Sequence, residues 1–320
     1  MRHEESKQKY QGVFIAAPTP MHDDESLDLP RLTELIHYYR EAGLRNGNCV
    51  CTVLGAGGEA MHLDDDERRE VAEAAVEAAD GQIPIFIGVG HTRTRSAVEL
   101  ARHADKIGAD GLQLELPYYF DATPDDAFAY ISEVAQAVEL GIGLYPTPWA
   151  SGLQFEAPLI RRICDELPNV VGLKWSHAIV HKWFHVVEEF SQRLSIVANL
   201  GVMLTPSAFM AGARGYVSQP VSAAPRHNVK IVEWLQAGEY DKALPWLRAV
   251  EDPYYKFLFE GLDAGYWGEG NYIKAAMDAV GFSCGPARLP HRPLSKPLRR
   301  RFAEWAKQID ELLPQTVNAK

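Results

Sequence analysis

Short apolar runs alternate with longer amphipathic segments over most of the chain. The apolar runs are rich in β-branched residues, which is typical of strands buried on both faces of a parallel sheet. The predicted strands are Gly12–Ala17, Asn48–Leu54, Ile83–Gly90, Gly111–Leu116, Gly141–Tyr145, Asn169–Ser176, Ser195–Asn199 and Gly215–Gln219. Helical patterns follow the first six of these strands. Three cover about Leu29–Ala42, Pro158–Glu166 and His177–Phe190, and three others end near Ala79, Gly108 and Leu140. About eight strands in alternation with helices favour a (β/α)8 barrel, a TIM barrel, over an open doubly wound sheet.

The pattern changes after Gly238, where the strand signal ends. Three helical stretches remain, at about Tyr240–Glu260, Asn271–Val280 and Leu298–Leu313. We therefore expect a barrel domain over residues 1–238 and a small C-terminal helical region over residues 239–320.

Charge and composition exclude several partners. The formal net charge of −11 argues against nucleic acid binding, and the basic run Arg299–Arg301 is typical of a solvated helix face. The chain has no apolar stretch of membrane-spanning length, and Met1–Tyr10 is charged, unlike a signal peptide. We expect a cytoplasmic protein that binds neither nucleic acid nor membrane, with its four cysteines as buried thiols.

The barrel prediction locates the candidate site, because active sites in this fold lie at the carboxyl ends of the strands. Several polar or glycine-rich positions fall there. They are Thr19, Gly55–Glu59, Glu115, Tyr118, Tyr119, Tyr145, Lys174 and Ser218.

Lys174 ends one of the predicted strands. It shares a strand face with Gly172, while Val171 and Leu173 point to the other face. An inward lysine is partly desolvated, which lowers its pKa and makes the neutral, nucleophilic amine accessible. The alternative is a lysine whose ammonium extends to water at the strand end.

A lysine nucleophile needs a carbonyl substrate, a proton shuttle and donors for a substrate carboxylate. Tyr145 ends the preceding strand and can pass a proton, although a rim aromatic would look the same. The turn Gly55–Glu59 joins a strand to a helix, so its amides can form an anion-binding nest. Glu115 shares a face with Gln113 and is expected to point into the barrel, where a carboxylate needs a partner or a function.

Three histidines recur every four residues, at His177, His181 and His185. This spacing occurs in metal sites, but no acid or cysteine clearly completes one here, and a partly exposed polar helix face is the alternative. We expect no metal and no other cofactor.

Six segments, in this order and spacing, resemble the dihydrodipicolinate synthase and N-acetylneuraminate lyase family of class I, Schiff-base-forming enzymes. The resemblance covers nearly the whole chain. The matching segments are Gly12–Pro20, Gly55–Glu59, Pro117–Tyr119, Tyr145–Gly152, Gly172–Lys174 and Gly212–Ser218.

The resemblance implies roles for these residues. Lys174 would form an imine with pyruvate or another 2-oxo acid, and Tyr145 would relay protons. The amides of Ala56 and Gly57 would hold the carboxylate, and Tyr119 would reach into the site of a neighbouring subunit in a homo-oligomer, either a tetramer or a dimer. Val217 would offer its carbonyl, and Thr19, Trp149 and Ser176 are further expected substrate-binding residues.

The chain also departs from the family pattern. Ala56 and Gly57 replace a pair of threonines, so the proton relay must be rerouted or activity lost, and Glu115 is the candidate for that task. Ala150 stands where the lysine-biosynthetic synthases have an arginine, and Leu200–Met203 stands where sialic acid lyases have acidic residues.

We therefore expect a lyase that joins a 2-oxo acid to an apolar or aromatic aldehyde held by Trp149, Trp175 and Met203. One alternative is a dehydratase of 2-oxo sugar acids, or a dihydrodipicolinate synthase-like enzyme, that uses the same imine. Another is a barrel that binds a 2-oxo acid without turnover.

Overall fold

The computed structural model describes residues 2–119 and 121–313 and shows a closed barrel of eight parallel strands. Each strand pairs with the next, and the last strand pairs with the first. The strands are β1 (Gly12–Ala16), β2 (Cys49–Val53), β3 (Ile85–Gly88), β4 (Gly111–Glu115), β5 (Ile142–Tyr145), β6 (Val170–Trp175), β7 (Ser195–Ala198) and β8 (Gly215–Ser218). The TIM barrel prediction is confirmed, and every predicted strand is present.

The first helix precedes β1, and the others follow the strands and cover the barrel. They are α1 (Arg2–Lys9), α2 (Leu29–Glu41), α3 (Asp65–Ala79), α4 (Thr94–Lys106), α5 (Pro124–Ala135), α6 (Pro148–Ser151), α7 (Ala157–Glu166), α8 (Val180–Phe190), α9 (Thr205–Met210) and α10 (Pro225–Gln236). Local sequence sets where they begin. For example, Asp64 and Glu67 form a reciprocal capping box that satisfies free amides at the start of α3.

Tyr10 fills the amino-terminal end of the barrel. Its ring lies under Gly143 of β5 and Gly172 of β6, and a Cβ atom on either glycine would lie 2.4 Å from a ring carbon. With Phe14 and Phe86 it belongs to a fully buried cluster inside the barrel. Glycine is required at both strand positions because this end of the barrel is filled by one aromatic ring.

Helix α1, which holds Tyr10 in place, was not predicted from the sequence. Two of its basic side chains form ion pairs with the rest of the barrel, Arg2 with Asp105 and Lys9 with Asp110. Ser6 accepts a hydrogen bond of 3.0 Å from the backbone N–H of Gly141.

Helices after residue 239 pack on one side of the barrel mouth. They are α11 (Tyr240–Trp246), a π-helical turn (Leu247–Glu251), α12 (Asp252–Asp263), α13 (Glu269–Ala279) and α14 (Lys296–Asp310). The π-helical turn follows Pro245, which lacks the N–H that would continue the α-helical bonding. The boundary at residue 238 stays a prediction, and residues 314–320 of the predicted helical region lie outside the described residues.

No helix in the described part of the chain is long and apolar enough to span a bilayer.

Candidate active site

Lys174 lies at the carboxyl end of β6 with its side chain in the barrel interior and only 5 % exposed. Its Nζ lies 4.3 Å from the ring centre of Phe14 and 3.9 Å from that of Tyr145. Burial lowers the pKa of Lys174 to about 8, and the nearby carboxylates of Glu269 and Glu115 offset part of that effect. A neutral amine is therefore accessible near physiological pH.

Tyr145 lies beside the lysine at the end of β5. Burial raises the pKa of its phenol well above the usual value, the charges of Glu269 and Glu115 raise it further, and a hydrogen bond from Asn199 lowers it. The Asn199 side-chain N–H lies 3.3 Å from the Tyr145 hydroxyl oxygen and 2.7 Å from the Ser176 hydroxyl oxygen. The phenol stays protonated, so it can donate a proton and regain it.

Glu115 points into the barrel from the end of β4, as expected from the strand alternation. Its carboxylate accepts a hydrogen bond from the side chain of Gln113. A Cβ atom on Gly90 would lie 2.7 Å from its Oε2 atom, so the carboxylate packs closely against the end of β3. Burial raises the pKa of Glu115, whereas the charge of Lys174 and, more weakly, that of Arg68 lower it.

The glycine turn after β2 is held by hydrogen bonds from Thr19 and within the turn itself. Thr19 donates a hydrogen bond of 2.7 Å to the carbonyl of Gly58, so this predicted substrate-binding hydroxyl supports the turn. The amides of Gly58 and Glu59 donate within the turn, at 3.1 and 3.2 Å. The amides of Ala56 and Gly57 donate to no acceptor within residues 2–119 and 121–313. These two donors are available to a ligand, which is what an anion nest requires.

Two predicted aromatic residues lie at the rim. Trp149 of α6 is 64 % exposed and packs edge-on against Tyr145, with ring centres 6.0 Å apart. Tyr119 is 84 % exposed and adopts a φ of 98°, a conformation that costs energy for a tyrosine. Val217 of β8 instead lies in the barrel interior, in the same cluster as Phe14.

Ser218, the last residue of β8, bonds to the helical region. Its hydroxyl donates a 2.7 Å hydrogen bond to Glu251 and accepts one of 3.0 Å from the amide of Val221. Burial raises the pKa of Glu251 to about 8, so this carboxyl is largely neutral at pH 7. Ser218 therefore links the barrel to the π-helical turn, and its hydroxyl is engaged away from Lys174.

One residue expected in the acceptor pocket lies elsewhere. Trp175 is fully buried on the outer face of β6, where its indole N–H donates to the carbonyl of Trp183 at 3.3 Å and the Trp183 indole donates back at 2.9 Å. The expectation for Trp175 was wrong because neighbouring strand residues face opposite ways, and Lys174 takes the inward position. Met203 is partly exposed after β7.

The histidine series does not form one helix face. Helix α8 begins at Val180, so His177 precedes it, and the His177 Nδ1 atom accepts a hydrogen bond from the amide of Ile179. Only His181 and His185 stack, with ring centres 4.1 Å apart. Among the residues that the structure describes, no three histidine, cysteine, aspartate or glutamate side chains are grouped as metal ligands.

Three residues that act on Lys174 or Tyr145 were not predicted from the sequence. Asn199 directly follows β7, so the rule that strand ends carry the site would have found it. Glu269 and Tyr255 belong to the helical region, and both affect the pKa of Tyr145. The sequence carries no signal for their position, which depends on how the C-terminal helices fold back over the barrel.

Comparison with known proteins agrees with this geometry. The profile of the dihydrodipicolinate synthetase family matches residues 9–309. The chain is 30 % identical to a 4-hydroxy-tetrahydrodipicolinate synthase of Azoarcus sp. over 300 residues, which cover 93 % of this chain and 97 % of that one. It is 31 % identical to the enzyme of the same name from Methylibium petroleiphilum over 291 residues, 90 % of this chain and 94 % of that one.

Solved structures are similarly close. A chloride-inhibited dihydrodipicolinate synthase from Acinetobacter baumannii in complex with pyruvate superposes with a TM-score of 0.84 at 26 % identity, covering 94 % of this chain and 99 % of that one. A monomeric dihydrodipicolinate synthase variant superposes with a TM-score of 0.84 at 26 % identity, covering 96 % and 98 %. The chain belongs to the dihydrodipicolinate synthetase family and is a class I lyase.

Proposed function

We propose that Lys174 forms an imine with the carbonyl carbon of pyruvate or another 2-oxo acid, and that the enamine derived from it reacts with an aldehyde. The observation that carries this proposal is the buried lysine, whose pKa is lowered to about 8. At pH 7 about a tenth of such an amine is neutral, against less than a thousandth for an unperturbed lysine. A relative solved with pyruvate supports the choice of ligand.

The surrounding residues supply the other parts of the reaction. The free amides of Ala56 and Gly57 bind the substrate carboxylate, which places the carbonyl carbon toward Lys174. Tyr145 gives a proton to the carbinolamine oxygen as water leaves, and Asn199 orients its phenol. Glu115 takes part in the remaining proton transfers, in place of hydroxyls that Ala56 and Gly57 do not have.

Other residues complete the pocket. Ser176 is positioned by Asn199 next to Lys174, and Val217 offers its backbone carbonyl at the end of β8. Tyr119 projects from the protein and reaches into the site of a neighbouring subunit, and its high exposure supports a homo-oligomer, either a tetramer or a dimer.

The acceptor is a largely apolar or aromatic aldehyde. Trp149 presents an exposed indole beside Tyr145, and Met203 adds an apolar side chain from the loop after β7. These groups gain by burying hydrocarbon but do little for a chain of hydroxyls. Ala150, next to Trp149, cannot bind a second carboxylate as an arginine would.

A second candidate function is dehydration of a hydroxylated 2-oxo acid through the same imine. Two carboxyl groups with raised pKa values, Glu115 and Glu269, both interact with Lys174. Loss of a substrate hydroxyl needs an acid that protonates it, and a carboxyl group with a raised pKa holds a proton more readily for that purpose.

Borohydride reduction with pyruvate tests the imine. Mass spectrometry should find a stable adduct on the Lys174 peptide and none at that position in Lys174→Ala. The control Lys230→Ala, which removes an exposed lysine of α10, should keep the adduct on Lys174. Equal labelling of Lys174→Ala would refute the assignment. Because a non-catalytic sensor could also form the imine, steady-state turnover must be measured separately.

The acceptor is tested with pyruvate as the fixed 2-oxo acid: specificity constants are compared for benzaldehyde, aspartate semialdehyde and N-acetylmannosamine. The specificity constant for dehydration of a 2-oxo-3-deoxy sugar acid is measured alongside. We expect the aromatic aldehyde to be preferred. A clear preference for either polar aldehyde would contradict the apolar pocket, and a preference for the sugar acid would select the dehydratase.

A further inference from the structure

The first turn of α13 lies on the glycine turn that follows β2. Lys274 of α13 forms an ion pair of 2.7 Å with Glu59, and both side chains are almost fully buried. The backbone amide of Arg288, beyond α13, donates a hydrogen bond of 2.8 Å to the other oxygen of the same carboxylate. These contacts fix the start of α13 at the barrel mouth.

Gly270 shows how close this contact is. A Cβ atom at this position would lie 2.9 Å from the carbonyl oxygen of Gly57 and 2.8 Å from Cγ of Glu59. A side chain on Gly57 would likewise lie 2.8 Å from Ile273 of α13. The backbone next to Glu269 therefore rests on the turn whose amides bind the substrate carboxylate in the proposed reaction.

Glu269 interacts with the catalytic lysine from this position. Among the charged groups its carboxylate has the largest effect on the pKa of Lys174, and it also raises that of Tyr145. Burial raises the pKa of Glu269, and the charge of Lys174 offsets part of that shift. The titratable groups that it influences are Lys174, Tyr145, Tyr254 and Tyr255, and the ion pair of Glu59 with Lys274 lies beneath it.

The two carboxyl groups near Lys174 differ in their partners. Glu115 is hydrogen-bonded to Gln113 and packed against Gly90. The Glu269 carboxyl, in contrast, has neither a hydrogen bond nor an ion pair to any residue in the described part of the chain. An unengaged carboxyl at the mouth of the site is free to exchange a proton with a ligand.

A charge at a helix amino terminus also stabilises the helix, so a structural role must be separated from a chemical one. That role alone does not account for the position of Glu269, because a charge in the first turn also stabilises a helix when it faces solvent.

We propose that Glu269 is the acid–base residue that serves the oxygen of the aldehyde acceptor. This inference rests on the proposed function. In the forward direction the enamine double bond supplies the electron pair of the new carbon–carbon bond to the aldehyde carbon. The aldehyde oxygen takes the proton of the Glu269 carboxyl, which leaves a hydroxyl on the product, a carboxylate on Glu269 and an iminium on Lys174. Water returns the proton to Glu269, and cleavage runs through the same steps in reverse.

The test compares Glu269→Gln with Glu269→Asp and with Asp263→Asn, which removes an exposed carboxylate at the end of α12. Three reactions are measured for each: borohydride trapping of pyruvate on Lys174, exchange of pyruvate methyl protons with D2O, and turnover with the best of the three aldehydes above.

For Glu269→Gln we expect turnover to fall by about a hundredfold or more, the usual contribution of a general acid or base. Trapping should be equal if Glu269 is protonated before imine formation and faster if it is ionised, because only the ionised form disfavours the neutral amine of Lys174. Methyl-proton exchange should persist, Glu269→Asp should regain part of the turnover, and Asp263→Asn should behave as the unchanged protein.

Other outcomes overturn the proposal in distinguishable ways. Unchanged turnover in Glu269→Gln shows that the carboxyl is not needed. Parallel loss of trapping, exchange and turnover makes Glu269 a structural residue, and loss of exchange with intact trapping makes it the base for the methyl carbon. If the unchanged protein itself traps no pyruvate, the proposed function fails and this inference fails with it.

Discussion

The two ends of the barrel differ sharply although, on β5 and on β6, positions only two residues apart on the same strand face belong to different ends. At the amino-terminal end Gly143 and Gly172 leave room for the ring of Tyr10, whereas at the carboxyl-terminal end Tyr145 and Lys174 carry polar groups. The lower end is filled by the buried cluster that contains Tyr10, Phe14 and Phe86, and the Phe14 ring of that cluster lies against Lys174. Packing at one end thus contributes to the lowered pKa at the other.

The polar groups at the two ends also have different surroundings. The Tyr10 hydroxyl is buried without a hydrogen-bond partner in the described part of the chain; burial raises its pKa, and the charge of Glu115 raises it further. The Tyr145 hydroxyl is equally desolvated but is contacted by Asn199 and faces two carboxyl groups. A buried phenol that feels the charge of one carboxylate therefore does not mark the site, whereas a hydrogen-bonded phenol beside Lys174 and two carboxyl groups does.

Among the substitutions that distinguish the two ends, Glu115→Gln at the carboxyl-terminal end is expected to have the largest effect, a loss of turnover. Turnover should fall about a hundredfold, because the substitution removes a proton-transfer group and keeps the size of the side chain. Imine trapping on Lys174 should persist. An unchanged rate would reduce Glu115 to a residue that only orients Gln113 or the substrate.

At the lower end, Tyr10→Ala should decrease the free energy of unfolding by about 3–5 kcal/mol, since it empties a packed space inside the barrel. Denaturant titration measures this loss. Tyr10→Phe is the matched control, and we expect stability to be unchanged or slightly higher because the hydroxyl that it removes has no partner. A large loss in the phenylalanine variant would mean that the hydroxyl is bonded after all.

These two ends were not equally predictable. All eight strands, the barrel helices α2–α5, α7 and α8, and the inward positions of Lys174 and Glu115 follow from the apolar runs and their periodicity, whereas α6, α9 and α10 were not predicted. Helix α1 has almost no apolar face, so periodicity could not reveal it, and its position depends on ion pairs with distant residues such as Asp105. Sequence-based analysis could find the barrel but not the residue that fills its lower end.

The site shows the same limit. Lys174 and Tyr145 lie where the strand ends predict them. The position of Glu269, in contrast, depends on the buried ion pair of Glu59 and Lys274, two residues 215 positions apart (274 − 59). Trp175 was misplaced by neglect of the alternation that placed Lys174 correctly. Long-range contacts of this kind leave no periodic signal in the chain.

The smallest effect is expected for chelation. Incubation with EDTA should leave turnover unchanged, because a lysine imine already supplies the electron sink that a metal would otherwise provide. Loss of turnover that added zinc restores would contradict this and direct attention to His181 and His185, the stacked pair on α8.

The pH dependence of imine trapping tests the central claim most directly, namely that burial in the barrel makes Lys174 a nucleophile. Pyruvate and cyanoborohydride are incubated with the protein across a pH series, and the initial rate of labelling is followed on the Lys174 peptide. Since only the neutral amine attacks, and the pKa of Lys174 is lowered to about 8, the rate should rise with pH and level off above about 8. A rate that still rises tenfold per pH unit up to about 10, as for an exposed lysine, or a label on a different lysine, would contradict the account.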